Sequence, residues 1–72
     1  MLPPRWTPAK IKRLRQKYDE SQSVFCLRCG VGVEAYRLWE QDRGRPSGAA
    51  ELVLDRLEED YASGKIRELE SA

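Results

Sequence analysis

Along the chain, apolar positions recur at the three- and four-residue spacing of amphipathic helices and nowhere alternate as strands do. Ile11, Leu14 and Tyr18 form one such face and predict a helix from Pro8 to about Tyr18. Its start is marked three ways. Thr7 is a capping residue, Pro8 suits the first helical position, and Trp6 and Ile11 occupy the two staple positions. Arg15 falls on the same apolar face, an odd place for a charge. A second, short helix is expected from Gln22 to Cys29, capped by Ser21 and stopped by Gly30. Its capping box is incomplete, because Val24 stands where Glu belongs. Gly32 opens a third helix that reaches about Gln41, with Glu34 near its positive end.

Asp42 to Gly48 is a loop by composition. A fourth helix is expected from Ser47 or Gly48 to Tyr61, with Ala50, Val53, Leu54, Leu57 and Tyr61 facing inward. Gly64 interrupts, and Ile66 and Leu69 predict one more short helix over Lys65 to Leu69. The expectation is an all-α chain: an arm over 1–6, a domain over 7–61 and a short C-terminal helix within 62–72.

The segment QSVFCLRCGVGVEAYRLWEQ, from Gln22, meets the demands of two short helices crossing steeply around a tight turn. Cys26 is the small residue where the helices touch, and Gly30 serves the turn. Phe25, Cys29, Val31, Tyr36 and Trp39 take the inward positions. Val33, Glu34, Ala35, Arg37 and Leu38 are then the outward positions near the start of the third helix.

The stretch IKRLRQKYDESQSVFCLRCGVGVEAYRLWEQDRGRPSGAA, Ile11 to Ala50, resembles the Xre family of Cro/cI-type helix-turn-helix regulators. The S-Q opening of the second helix, the W-E near the end of the third and the R-x-R-P-S-G loop carry the resemblance. The P-S-G-A-A continuation looks most like short single-domain members, including HigA-type antitoxins and phage regulators. The resemblance implies a five-helix lambda-repressor-like domain whose third helix, in the motif 22–41, docks in the DNA major groove. It implies a backbone contact by Gln22 and base-facing positions at Val33, Glu34 and Leu38, with Ala35 among them. Arg37 would reach a phosphate or a guanine edge, and Arg43 and Arg45 would follow the sugar-phosphate backbone. It also implies that Arg15 pairs with Glu40. Three positions depart from the family pattern: Gly32 replaces the usual Ser or Thr cap, Val33 and Leu38 are aliphatic where polar readers are frequent, and Arg28 fills a slot that is often apolar.

Charge sharpens this picture. The 72 residues carry a formal net charge of +1. Residues 1–48 hold ten Lys/Arg against five Asp/Glu, and residues 49–72 hold three against seven. A basic part followed by an acidic part fits a chain with one side turned to a polyanion. Lys10, Lys12, Arg13 and Lys17 are expected on a solvated outer face of the first helix. Glu51, Asp55, Glu58, Glu59 and Asp60 are expected on a solvated acidic face, which would also suit a basic partner.

Candidate chemistry narrows the field further. There is no histidine, so the commonest general base and metal ligand is missing. No phosphate-cradling glycine loop and no nucleophile–base pair with an orienter is present. The expectation is a protein that is not an enzyme and needs no cofactor or metal. Cys26 and Cys29 have CxxC spacing, but no further Cys or His completes a zinc site, and their positions favour packing in a core. Tyr36 and Trp39 likewise fit a core better than a stacking platform. No apolar run is long enough to span a bilayer and the first residues do not resemble a signal peptide, so the expected location is the cytoplasm.

The expected function is sequence-specific binding of double-stranded DNA by a homodimeric transcriptional regulator, a repressor acting on a palindromic operator. Two other readings remain open. One is an antitoxin that also binds DNA and neutralises a toxin partner. The other is a helix-turn-helix used only for protein contact.

Overall fold

Thr7 opens the first helix as its side chain predicts, accepting a hydrogen bond from the Lys10 amide at 3.2 Å. In the computed structural model, which describes residues 5–64, this helix is α1, Pro8–Lys17. Three more follow: α2 (Gln22–Cys29), α3 (Val33–Glu40) and α4 (Gly48–Ala62). There is no strand among the described residues, so the fold is all-α. The fifth helix expected at Lys65 to Leu69 lies outside the described residues.

Local chemistry explains where the helices begin and end. Ser21 caps α2 by accepting from the Val24 amide at 3.3 Å, and Ser47 caps α4 by accepting from the Ala50 amide at 3.2 Å. Gly32, lacking a side chain, gives α3 no such bond. Gly30 ends α2 at φ 75°, and the Val31 amide returns to the Cys26 carbonyl at 3.1 Å. Aspartate does the same work at the two ends without glycine. Asp19 follows α1 at φ 54° and Asp42 follows α3 at φ 58°, the left-handed region that aspartate tolerates better than most residues.

The core runs between the helices as a chain of rings. Tyr61, Tyr18, Phe25, Tyr36 and Trp39 contact one another in that order, with centroids 5.5–5.7 Å apart in tilted or edge-on geometry. Such pairs add about 0.5–1.5 kcal/mol each beyond the area they bury. Ile11, Leu14, Ala50 and Leu54 close around them. Cys26 and Cys29 are buried free thiols, and burial pushes the Cys29 thiol up to about 12. Cys29 is therefore no reactive thiolate near neutrality, and both buried cysteines pack as small core residues.

Three expectations need correcting. Trp6 belongs to the core rather than to an arm: it is 3% exposed, and its indole N–H donates to Asp55 Oδ1 at 2.8 Å. Arg5 reaches the other oxygen of the same carboxylate, so Asp55 pins the start of the chain to α4 instead of lying on a free acidic face. Val53, expected to point inward, is exposed, because Ala50 and Leu54 already fill the seam and leave it on the shoulder of α4.

Candidate nucleic-acid interface

The position of α3 is set first from within. Tyr36 and Trp39 fix its inner face, and at about 100° per residue the opposite face carries Glu34, Arg37, Leu38 and Gln41. All four are exposed. Gln41, the cap residue of α3, was not among the sequence-predicted site residues. Its place one turn beyond Arg37 and Leu38 was the available signal. Ala35 is exposed but sits one helical step round from Glu34, on the flank of this face. Val33 departs further from expectation. It is half-buried and packs against the core, because the first turn of α3 leans onto the α2–α3 junction, so it is no free reading position.

The loop after α3 is tied to the helix. The Arg43 amide donates to the Leu38 carbonyl at 2.9 Å. A β-carbon on Gly44 would stand 3.2 Å from Leu38 Cβ, so the absence of a side chain lets the loop lie flat on that leucine. Asp42, Gly44, Arg45 and Pro46 then face Trp6 and Trp39 across a small cavity of about 20 Å³. Arg43 and Arg45 thus project from a segment braced on two tryptophans.

The charged groups divide sharply. Arg5, Lys10, Arg15 and Arg28 each have a carboxylate partner, on Asp55, Glu58, Glu40 and Glu20 respectively. Arg28 forms a two-pronged pair with Glu20 at 2.7 Å and stacks over Tyr18 at 4.8 Å. Arg37, Arg43 and Arg45 are exposed and have no carboxylate within ion-pair reach among the described residues. Glu34 and Asp42 are the acidic groups on the same side, leaving the face with a positive balance.

Behind this face lies a polar anchor. Arg15 Nε donates to Glu40 Oε2 at 2.8 Å and Arg15 Nη2 to Glu40 Oε1 at 3.2 Å, while Nη1 donates to the Glu20 carbonyl at 3.0 Å. Gln22 Nε2 adds a bond to Glu40 Oε1 at 3.2 Å. Burial alone raises the Glu40 pKa, but the hydrogen bonds from Arg15 and Gln22, with the Tyr36 hydroxyl nearby, outweigh it and hold the carboxyl below its ordinary range. The neighbouring Tyr36 phenol is pushed up, first by burial and then by Glu40. Its oxygen makes no hydrogen bond of good geometry among the described residues. Gln22 is therefore not a free surface side chain. It is half-buried, with one amide hydrogen committed to Glu40 and one left for a ligand.

The expected site residues thus come together in part. Glu34, Arg37 and Leu38 share the outer face of α3, and Arg43 and Arg45 adjoin it. Gln22 stands at its edge, and Val33 is withdrawn. Cys26, Gly30, Trp39, Arg15 and Glu40 hold α2 and α3 in place beneath it. No group of three or more metal-ligating side chains exists among the described residues, and no described helix is long and apolar enough to cross a membrane. The chain matches no protein-family model, no curated protein and no solved structure.

Proposed function

We propose that this protein is a sequence-specific DNA-binding regulator of the Cro/cI-like helix-turn-helix type, a repressor that acts from the cytoplasm as a dimer on a palindromic site. The observation that carries the reading is the partition of the arginines. Among the described residues Arg5, Arg15 and Arg28 are paired with the chain's own carboxylates, and Arg13 and Arg56 stand singly on α1 and α4. Arg37, Arg43 and Arg45 are the unpaired arginines gathered on one helix face and its adjoining loop. Guanidinium forks without internal partners suit phosphate and guanine.

In this reading α3 enters the major groove. Arg37 and Gln41 supply hydrogen bonds, and Glu34 accepts from a cytosine amino group. Leu38 meets thymine methyl groups. Arg43, Arg45 and the remaining amide hydrogen of Gln22 hold the phosphates, which fix register without reading sequence. One such helix reads few base pairs, so two copies on half-sites about 34 Å apart are needed for useful selectivity.

Selection of bound sites from random duplex DNA tests the reading. The expected result is an enriched palindrome, bound less tightly as salt rises. Replacing Arg37, Arg43 and Arg45 together with Ala abolishes that binding. Recovery of no enriched sequence, or undiminished binding by the triple variant, overturns it.

A further inference from the structure

Lys10, Arg13 and Lys17 follow one another along α1 and lie within about 60° of each other around its axis. Arg15, which reaches α3, lies about 160° round from Lys17. The basic row therefore lines the flank of α1 turned toward α4, away from the outer face of α3. An open groove of about 270 Å³ runs there, with the three cations and Thr7 on one wall, Glu58 on the other and Leu14 at its floor. The two end cations lie near rings. Lys10 Nζ sits 4.4 Å from the Trp6 centroid and 3.9 Å from the Glu58 carboxylate, and Lys17 Nζ sits 5.9 Å from the Tyr61 centroid. Arg13, between them, has no carboxylate within ion-pair reach among the described residues.

We infer that this groove is a docking site for an acidic helical segment of a partner protein, distinct from the α3 face. The row spans seven helical steps, about 10 Å at 1.5 Å per residue, which matches carboxylates at i, i+3 and i+7 of a second helix laid alongside. The Lys10 ammonium, already over the Trp6 ring, loses less freedom on binding than a free side chain would. A nucleic acid fits worse. Duplex DNA presents a charge about every 1.7 Å, and Glu58 stands inside the groove on a helix that carries four other carboxylates against one arginine. A peptide can leave a neutral or cationic residue opposite Glu58, and a phosphate backbone cannot.

The test is a titration of the isotope-labelled protein, followed by amide resonances, with two synthetic helical peptides and a short duplex. The peptides differ only in carrying Glu or Lys at those three positions. The Glu peptide is expected to shift Thr7, Lys10, Arg13, Lys17 and Glu58, to leave Arg37 unmoved and to bind more weakly in added salt. Arg13→Glu combined with Lys17→Glu, both at exposed positions, is expected to cost about tenfold in affinity for the peptide with the fold unchanged. Equal binding of the Lys peptide, no shift along the α1 row, or a stronger response of that row to the duplex overturns the proposal. A duplex that moves nothing at all counts against the DNA reading alone and leaves this one standing.

Discussion

The Arg15 guanidinium meets the Glu40 carboxylate side-on, with Nε and Nη2 on its two oxygens at 2.8 and 3.2 Å, and so ties α1 to the end of α3. The side chains keep 17% and 6% of their exposure, so the pair is largely shielded. Removing one partner strands the other, which costs more than the pair contributes as a whole. Arg15→Ala is expected to lower stability by about 2–3 kcal/mol, read as a drop in the urea midpoint at unchanged slope. Arg15→Lys restores little, because an ammonium cannot occupy both carboxylate oxygens and the Glu20 carbonyl together. An unfolding curve for Arg15→Ala that overlays the wild type would remove the pair from any structural role.

The same pair sets an acid limit. The Glu40 pKa is lowered in the folded chain from an ordinary 4.5. A depressed carboxyl binds fewer protons folded than unfolded, so its contribution is present above about pH 4.5 and is lost as pH falls through the folded value. Asp55, lowered by the Trp6 indole and by Arg5, acts in the same direction. Stability measured by denaturant between pH 7 and pH 3 should fall along the acid limb, and Glu40→Gln should flatten that limb while lowering stability near neutrality. A Glu40→Gln profile parallel to the wild type at every pH would show that Glu40 does not carry the acid dependence.

Features fixed by neighbouring residues were the legible ones. Thr7, Ser21, Ser47 and Gly30 act within a few residues of themselves, and the helix boundaries they predict fall within one residue of those observed. The Arg15–Glu40 pair was legible only through family resemblance, since nothing local joins residues 25 apart. Trp6 and Asp55, 49 apart, left no trace in periodicity, so Trp6 read as the end of an arm. Val33 read as outward because helical phase alone puts it near Arg37. The lean of α3 on its neighbours, a tertiary property, decides otherwise. Gln22 reads as a surface amide until the position of Glu40 is known.

The left-handed aspartates carry a prediction that separates stability from binding. Asp19 and Asp42 both hold positive φ, where a β-carbon is unfavourable and glycine is not. Glycine also adds freedom to the unfolded chain, which offsets part of the relief. Asp19→Gly and Asp42→Gly are each expected to stabilise by about 0.5 kcal/mol, seen as a small rise in the thermal midpoint. Only Asp42→Gly also removes a carboxylate beside Arg43, so it alone should tighten duplex binding at low salt. Equal tightening by both would mean that net charge, and not the α3 face, governs affinity.

Gly44 tests whether the loop after α3 must lie flat. An added β-carbon would meet Leu38 Cβ at 3.2 Å, an atom fixed to the backbone of α3 that cannot swing aside. The loop must give by a few tenths of an ångström instead, shifting Arg43 and Arg45 with it. Gly44→Ala is expected to cost about 1 kcal/mol of stability, at the low end for an overpacked contact. Duplex affinity should fall further, by about tenfold if both arginines leave their phosphates. The slope of affinity against salt should become shallower, since fewer phosphates are neutralised. Gly48→Ala is the control, because nothing lies within 4 Å of its added carbon; at the start of α4 it should raise stability by about 0.5 kcal/mol and leave binding unchanged. If Gly44→Ala binds duplex with wild-type affinity and salt slope, Arg43 and Arg45 do not reach the DNA backbone, and the α3 face must bind through Arg37, Leu38 and Gln41 alone.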